Sequence, residues 1–105
     1  MPFKYVMRHD HMEILSDRTI YGFLYPHAVC KDGFEVSIQA SHSHYCEPRS
    51  DDEIYEAVEL GFPSERPPDY IMEYAEEPDS PTATVYAFVP AELVHKMIQE
   101  HGGLV

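Results

Sequence analysis

The densest group of residues able to bind a metal or act as a nucleophile lies between positions 42 and 46. Because side chains on a strand point to opposite faces in turn, a continuous strand would place two imidazoles and a thiol on one face. Zinc accepts these ligand types in tetrahedral sites. The three candidate ligands are His42, His44 and Cys46. His9 and His11, also two residues apart, are further candidates, so a zinc site using this stretch is one hypothesis.

Two observations weigh against that hypothesis. Zinc motifs of high specificity contain paired ligand groups at a recognised interval, whereas this chain has only two cysteines, Cys30 and Cys46. The commoner explanation of such a pattern is that the histidines form hydrogen bonds at the end of a strand.

Motifs typical of enzymes are also absent from the sequence. The residues around Cys46 show no protease signature, and the chain has no Gly-rich phosphate loop and no serine elbow. We therefore expect no catalytic residues and no cofactor, and the alternative is a zinc-binding protein or a metal-dependent enzyme that uses His42, His44 and Cys46.

The second candidate site is the acidic middle of the chain. The protein has 19 acidic and 7 basic residues and a formal net charge of −12. Twelve of the acids lie between Glu47 and Asp79, where the only basic residues are Arg49 and Arg66. Such a charge distribution repels nucleic acid and favours a basic protein partner. Tyrosines would anchor that partner, while the carboxylates would attract it during association. The predicted partner-binding residues are Asp51, Asp52, Glu53, Tyr55, Glu56, Glu73, Tyr74, Glu76 and Glu77.

The alternative is that the charge only keeps the protein soluble and that the tyrosines pack in the core or at its rim. No apolar run reaches the ~20 residues of a membrane-spanning helix. The first residues also lack the apolar segment and cleavage site of a signal peptide. We therefore expect a cytoplasmic protein that does not contact a membrane.

The element that carries the histidines has the clearest strand pattern in the sequence. Apolar and polar residues alternate from position 34 to position 41, which is typical of an antiparallel strand with one buried face. The residues predicted to face the core are Phe34, Val36, Ile38 and Ala40, and those predicted to face solvent are Glu35, Ser37, Gln39 and Ser41. The turn signal Lys31-Asp-Gly33 before it indicates a hairpin.

Residues 50–62 support two interpretations. Ser50 and Glu53 match a capping box, which favours a helix ending at Gly61. Alternatively, Val58, Leu60 and Phe62 alternate as a strand that pairs back onto residues 34–46. We favour the strand, because it gives the hairpin a third neighbour and covers more apolar surface.

The remaining segments complete an α+β fold. Short strands are predicted over residues 2–8, 12–15 and 19–25, and a further strand over 82–89 with a central position in its sheet. Residues 63–81 form a Pro-rich acidic loop, in which one helical turn near Ile71 contacts the core. A helix runs from Pro90 to His101 and ends at Gly102. We predict one domain over residues 1–105, in which a small antiparallel sheet packs against this carboxy-terminal helix.

Several short segments resemble small uncharacterised proteins of phages and prophages, over roughly residues 34–105. The segments are His44-Tyr-Cys46, Pro48-Arg49, Val58-Glu-Leu-Gly-Phe-Pro-Ser64, Tyr74-Ala-Glu76, Thr84-Val-Tyr86, Val89-Pro90 and His101-Gly-Gly103. That group supplies no established activity and no catalytic residues. The resemblance implies an inhibitor or adaptor of host machinery, and an acidic one would imitate the phosphate backbone, as some anti-restriction and anti-CRISPR proteins do.

Overall fold

The computed structural model describes residues 4–8, 11–15, 27–40, 44–47 and 54–105, with side chains from residue 27 onward except that of Ile54. Within these residues the chain forms seven strands and two helices. In chain order they are β1 (Lys4–Arg8), β2 (His11–Leu15), β3 (Ala28–Val29), β4 (Glu35–Gln39), β5 (Ile54–Tyr55), β6 (Ala57–Gly61), α1 (Asp69–Met72), β7 (Val85–Pro90) and α2 (Ala91–Glu100).

The strands form two antiparallel sheets. One has four strands in the order β3-β4-β6-β7, and the other has three in the order β1-β2-β5. The helix α2 contacts β7 of the first sheet and both β1 and β2 of the second. The predicted α+β class, with an antiparallel sheet and a carboxy-terminal helix, is confirmed. The division into two sheets was not predicted, and the strand predicted over residues 19–25 lies outside the described residues.

The hairpin predicted at residues 31–33 is confirmed. Gly33 has a φ of 97°, which only glycine adopts readily, and the N–H of Phe34 donates to Oδ1 of Asp32 at 2.9 Å. β3 then pairs with β4, with Ala28 opposite Val36. The predicted apolar face of β4 is fully buried. The prediction of a polar, solvated face is wrong at Ser37 and Gln39, which are also buried and joined by a 2.9 Å hydrogen bond between their side chains.

Residues 57–61 form a strand, as predicted, and pair antiparallel with β4 so that Ile38 lies opposite Leu60. Val58 and Leu60 are buried as the alternation required. Phe62 is not, since it is 52% exposed. Its φ of 50° turns the backbone at the end of β6 and removes the ring from the buried face of the strand.

β7 is an edge strand, so the prediction that it lies centrally is wrong. The two central strands of that sheet are β4 and β6. The outer edge of β7 is nevertheless covered, because the N–H of Glu76 donates to the carbonyl of Val85 at 3.0 Å and that of Ala87 to the carbonyl of Tyr74 at 3.2 Å. Because residues 74–76 cover this edge, β7 can have an apolar sequence on both faces although it is an edge strand.

Both predicted helical segments are present. α1 is a single turn that buries Ile71, and α2 buries Ala91, Val94, Met97 and Ile98. Helix α2 begins at Ala91, so Pro90 precedes it as the last residue of β7 instead of occupying its first turn. It ends in a Schellman motif, in which Gly102 donates to Gln99 at 3.0 Å and Gly103 to Ile98 at 2.9 Å. No helix among the described residues is long and apolar enough to cross a membrane.

Candidate binding surface

The histidine–cysteine stretch does not continue β4. That strand ends at Gln39, and the N–H of Cys46 donates to the carbonyl of His44 at 3.0 Å, which closes a tight turn between them. The alternation of faces assumed from the sequence therefore does not extend to Cys46. Both His44 and Cys46 are nevertheless buried. His42 lies outside the described residues.

The described side chains include no group of three His, Cys, Asp or Glu residues placed to hold a metal ion. His9 and the side chain of His11, the other predicted ligands, lie outside that set. Cys30 and Cys46 are buried free thiols. Burial, and secondly the charge of Asp32, raises the pKa of the Cys30 thiol above its ordinary value, which disfavours the reactive thiolate.

The predicted partner-binding residues fall into three groups. The side chains of Glu56, Glu73, Glu76 and Glu77 are exposed, as a binding role requires. Tyr55 is 1% exposed, so its ring lies in the core instead of on the surface, and Tyr74 is half-buried against the core. Asp51, Asp52 and Glu53 lie outside the described residues.

The loop over residues 76–86, which carries Glu76 and Glu77 and is called the acidic loop from here on, is hydrogen-bonded to β7 and to the residue before it. The N–H of Glu77 donates to Oγ1 of Thr84 at 3.0 Å, next to the bond from Glu76 to Val85. The hydroxyl of Tyr86, whose ring is fully buried, donates to the carbonyl of Pro81 at 2.6 Å. Burial raises the pKa of that phenol, so it remains a donor. Residues 76–86 therefore form a closed loop that fixes the backbone of both glutamates.

The cationic side chains of Arg66 and Lys96 both have partners within the described part of the chain. Nη2 of Arg66 lies 2.9 Å from Oδ1 of Asp69, one turn along the chain. Nζ of Lys96 lies 4.5 Å from the ring centroid of Tyr70, whose hydroxyl donates to the carboxylate of Glu100. Burial and Glu100 raise the pKa of Tyr70, which keeps this link between α1 and α2 protonated. Arg66 and Lys96 thus contribute to helix packing and local pairing.

A pair of exposed aromatic rings forms a feature that the sequence did not reveal. Tyr45 is 39% exposed and Phe88 is 44% exposed, and their ring centroids lie 5.9 Å apart with the planes tilted by 42°. The N–H of Phe88 donates to the carbonyl of Tyr45 at 3.1 Å, which fixes the two backbones together. Phe88 lies within the strand predicted over residues 82–89, and the predicted central position of that strand gives no sign that this ring is exposed.

A β-bulge turns Phe88 out of the sheet. Val58 pairs with Val89 and Leu60 with Tyr86, so that Ala87 and Phe88 together lie opposite one residue of β6. Phe88 has a φ of 53°, in the left-handed region. Such a conformation costs a residue other than glycine about 1–3 kcal/mol and concentrates at functional sites.

One carboxylate contacts the backbone of the aromatic pair, and two others line a recess at the start of α2. Oε2 of Glu59 accepts the N–H of Tyr45 at 3.1 Å. The recess has a volume of about 230 Å³ and is lined by Glu56, Pro90, Ala91 and Glu92. The N–H of Ala91 donates to the carbonyl of Glu56 at 2.8 Å, which joins the start of α2 to the chain between β5 and β6.

No protein-family model, no curated protein and no solved structure matches this chain. Any functional conclusion therefore comes from the charge, burial and backbone geometry of the described residues. These residues offer two features suited to binding: exposed carboxylates on a fixed loop backbone, and an exposed aromatic pair.

Proposed function

We propose that this protein is a non-catalytic binding protein that presents the acidic region 47–79 to a basic protein surface. The observation that carries the proposal is the loop closed by Glu77, Thr84 and Tyr86, which holds exposed carboxylates on a fixed backbone. A preorganised loop loses less conformational entropy on binding than a free one. The net charge of −12 adds long-range attraction for a cationic partner.

The partner class that we propose is a protein that handles nucleic acid. The acidic protein would act on this partner as an inhibitor or as an adaptor. Lysine and arginine side chains that bind phosphate oxygens also bind carboxylates, through the same charge-assisted hydrogen bonds. A surface of closely spaced carboxylates therefore competes with DNA or RNA for a basic channel. The protein itself, with its negative charge, would not bind nucleic acid.

The test measures binding to a fluorescent peptide of alternating glycine and arginine over a series of salt concentrations. The double variant Glu76→Gln/Glu77→Gln removes two charges from the loop, and Glu35→Gln/Glu92→Gln removes two exposed charges outside residues 47–79 as the matched control. We expect a larger loss of affinity and of salt dependence in the loop variant. Equal losses in the two variants would show that only the total charge matters and would overturn the proposed surface.

Two further measurements extend this test. Charge reversal at Asp51, Asp52 and Glu53 is expected to slow association, because these acids belong to the same region of the sequence. Duplex DNA is expected to displace the acidic protein from the peptide, because both would occupy the same cationic groups. Association unchanged by the reversal would remove residues 51–53 from the surface, and failure of DNA to compete would argue against a nucleic-acid-handling partner.

A further inference from the structure

A second side chain reaches the hydroxyl that closes the acidic loop. The hydroxyl of Tyr86 donates to the carbonyl of Pro81 at 2.6 Å, and Sδ of Met72, the last residue of α1, lies 3.7 Å from the same hydroxyl oxygen. A hydroxyl has one proton to donate, and a thioether sulfur is a weak acceptor, so Pro81 receives the hydrogen bond. Met72 and Pro81 are thus two acceptors that compete for one donor.

Of the two methionines whose side chains the structure describes, only Met72 is accessible to a small oxidant. It is half-buried at the edge of the core, whereas Met97 is fully buried. Hydrogen peroxide oxidises a thioether by transfer of one oxygen atom: an S–O bond forms and the O–O bond breaks. The sulfur loses two electrons, and the second peroxide oxygen leaves with both protons as water. The product, methionine sulfoxide, is polar, and its oxygen accepts hydrogen bonds far better than the sulfur does.

We propose that Met72 is an oxidation site that opens the acidic loop, because its sulfoxide oxygen draws the Tyr86 hydroxyl away from Pro81. An oxygen bonded to a sulfur that lies 3.7 Å from the hydroxyl can reach hydrogen-bonding distance of it. Loss of the bond to Pro81 removes one of the ties that fix the backbone of Glu76 and Glu77. Enzymatic reduction of the sulfoxide restores the thioether, so the change is reversible. This inference rests on the proposed function, since an opened loop loses more conformational entropy when it binds a basic partner.

The first experiment measures amide hydrogen exchange of the protein alone, before and after treatment with hydrogen peroxide, and identifies the oxidised methionines by mass spectrometry. We expect Met72 to become the sulfoxide and Met97 to remain a thioether. The amides of Glu76, Glu77 and Ala83 should then exchange about two- to tenfold faster, which is the factor that corresponds to the loss of one hydrogen bond. Met72→Leu has no sulfur at this position and is the matched control. Its loop amides should exchange at the same rate with and without peroxide, whatever happens at the other methionines.

A second comparison separates competition for the hydroxyl from a general loss of packing. Tyr86→Phe has no hydroxyl, so oxidation of Met72 should not accelerate the exchange of its loop amides any further. If Met72 is not oxidised, if exchange in the unaltered protein is the same after oxidation, or if oxidation accelerates exchange equally in Tyr86→Phe, the inference is overturned. Faster exchange across the central strands β4 and β6 as well would indicate global unfolding and would also overturn it.

A third measurement links the oxidation site to the proposed function. The affinity of the unaltered protein for the glycine–arginine peptide should fall about two- to fivefold on oxidation, and that of Met72→Leu should not change. Equal affinities before and after oxidation, with the loop opened, would overturn the regulatory role of Met72. Absence of salt-dependent peptide binding before oxidation would instead overturn the proposed function. The two failures are distinguishable, because hydrogen exchange needs no partner and decides by itself whether oxidation of Met72 opens the loop.

Discussion

The imidazole of His101 stacks on the ring of Phe34, with centroids 4.1 Å apart and planes within 8° of parallel. Its Nδ1 also lies 2.6 Å from Oδ2 of Asp32 in the β3–β4 turn. The residues that follow α2 continue this contact, since the N–H of Lys31 donates to Gly103 and that of Val105 to Val29. The end of the chain thereby covers the outer edge of β3, which would otherwise expose unpaired backbone groups.

Removal of the His101 ring should destabilise the fold. We expect His101→Ala to lower the free energy of unfolding by about 1–2 kcal/mol, because it removes both the stack on Phe34 and the bond to Asp32. His27→Ala is the matched control, since its imidazole is exposed and pairs with Glu35 at the surface. Urea denaturation of both variants measures the difference, and similar losses would contradict a structural role for the stack.

The Asp32 carboxylate should make stability depend on acid pH. The N–H of Phe34, and secondly the bond to His101, holds the pKa of Asp32 below its ordinary value. A carboxyl with a lowered folded-state pKa stabilises the fold above its ordinary pKa, and this contribution is lost as the pH falls through the folded value. We expect Asp32→Asn to lower the Tm near neutral pH and to match the unaltered protein in strong acid. Asp69→Asn, on a highly exposed side chain, is the control, and a Tm difference for Asp32→Asn that is constant with pH would contradict the prediction.

A Cβ at Gly102, just after α2, should destabilise the fold through the backbone conformation. Its φ is 89°, and a Cβ there would meet only the Cβ of Lys31 at 3.5 Å, so the cost arises from the backbone and not from a clash. We expect Gly102→Ala to lower the free energy of unfolding by about 1–2 kcal/mol. Gly61→Ala, where φ is not positive and the nearest atoms are 3.7 Å away, should be close to neutral in the same denaturation experiment. Equal effects at the two glycines would show that the Schellman motif contributes little.

At position 88 we expect glycine to give a more stable protein than alanine, which is the reverse of the usual order in a strand. At an ordinary strand position the glycine variant is the less stable one, but the left-handed φ of Phe88 favours glycine. We expect Phe88→Gly to be more stable than Phe88→Ala by about 1 kcal/mol. At the neighbouring Ala87, replacement by glycine should destabilise in the ordinary way. Thermal melts of the three variants measure these differences in stability. If Phe88→Ala is more stable than Phe88→Gly, the backbone at this position is not strained.

The hydroxyl of Tyr86 should hold the acidic loop in place. Tyr86→Phe removes the donor to Pro81 but keeps the buried ring, so we expect a loss of about 1–2 kcal/mol in the free energy of unfolding. Amide hydrogen exchange at Glu76 and Glu77 should become faster, since the loop loses one of its ties. Thr84→Val, which removes the acceptor of the Glu77 amide, should act in the same direction. Unchanged exchange in both variants would mean that other contacts fix the loop.

Local patterns in the sequence were sufficient for several elements of the fold. The apolar face of β4, the turn at Gly33, the strand over 57–61 and the end of α2 at Gly102 were all predicted. Each depends on neighbours within a few residues, through side-chain alternation or the backbone freedom of glycine. The excess of acids between 47 and 79 is likewise a property of the sequence alone.

The tertiary structure decided the features that depend on which strands pair. The edge position of β7 follows from strand order, and the bulge that exposes Phe88 follows from the register between β6 and β7. Tyr45 and Tyr55 are both tyrosines in the same stretch, but one ring is exposed and the other is buried. No local pattern separates them, because burial depends on segments distant in sequence. The sequence therefore determined how much charge and aromatic surface the protein has, and long-range pairing determined which of those groups a partner can reach.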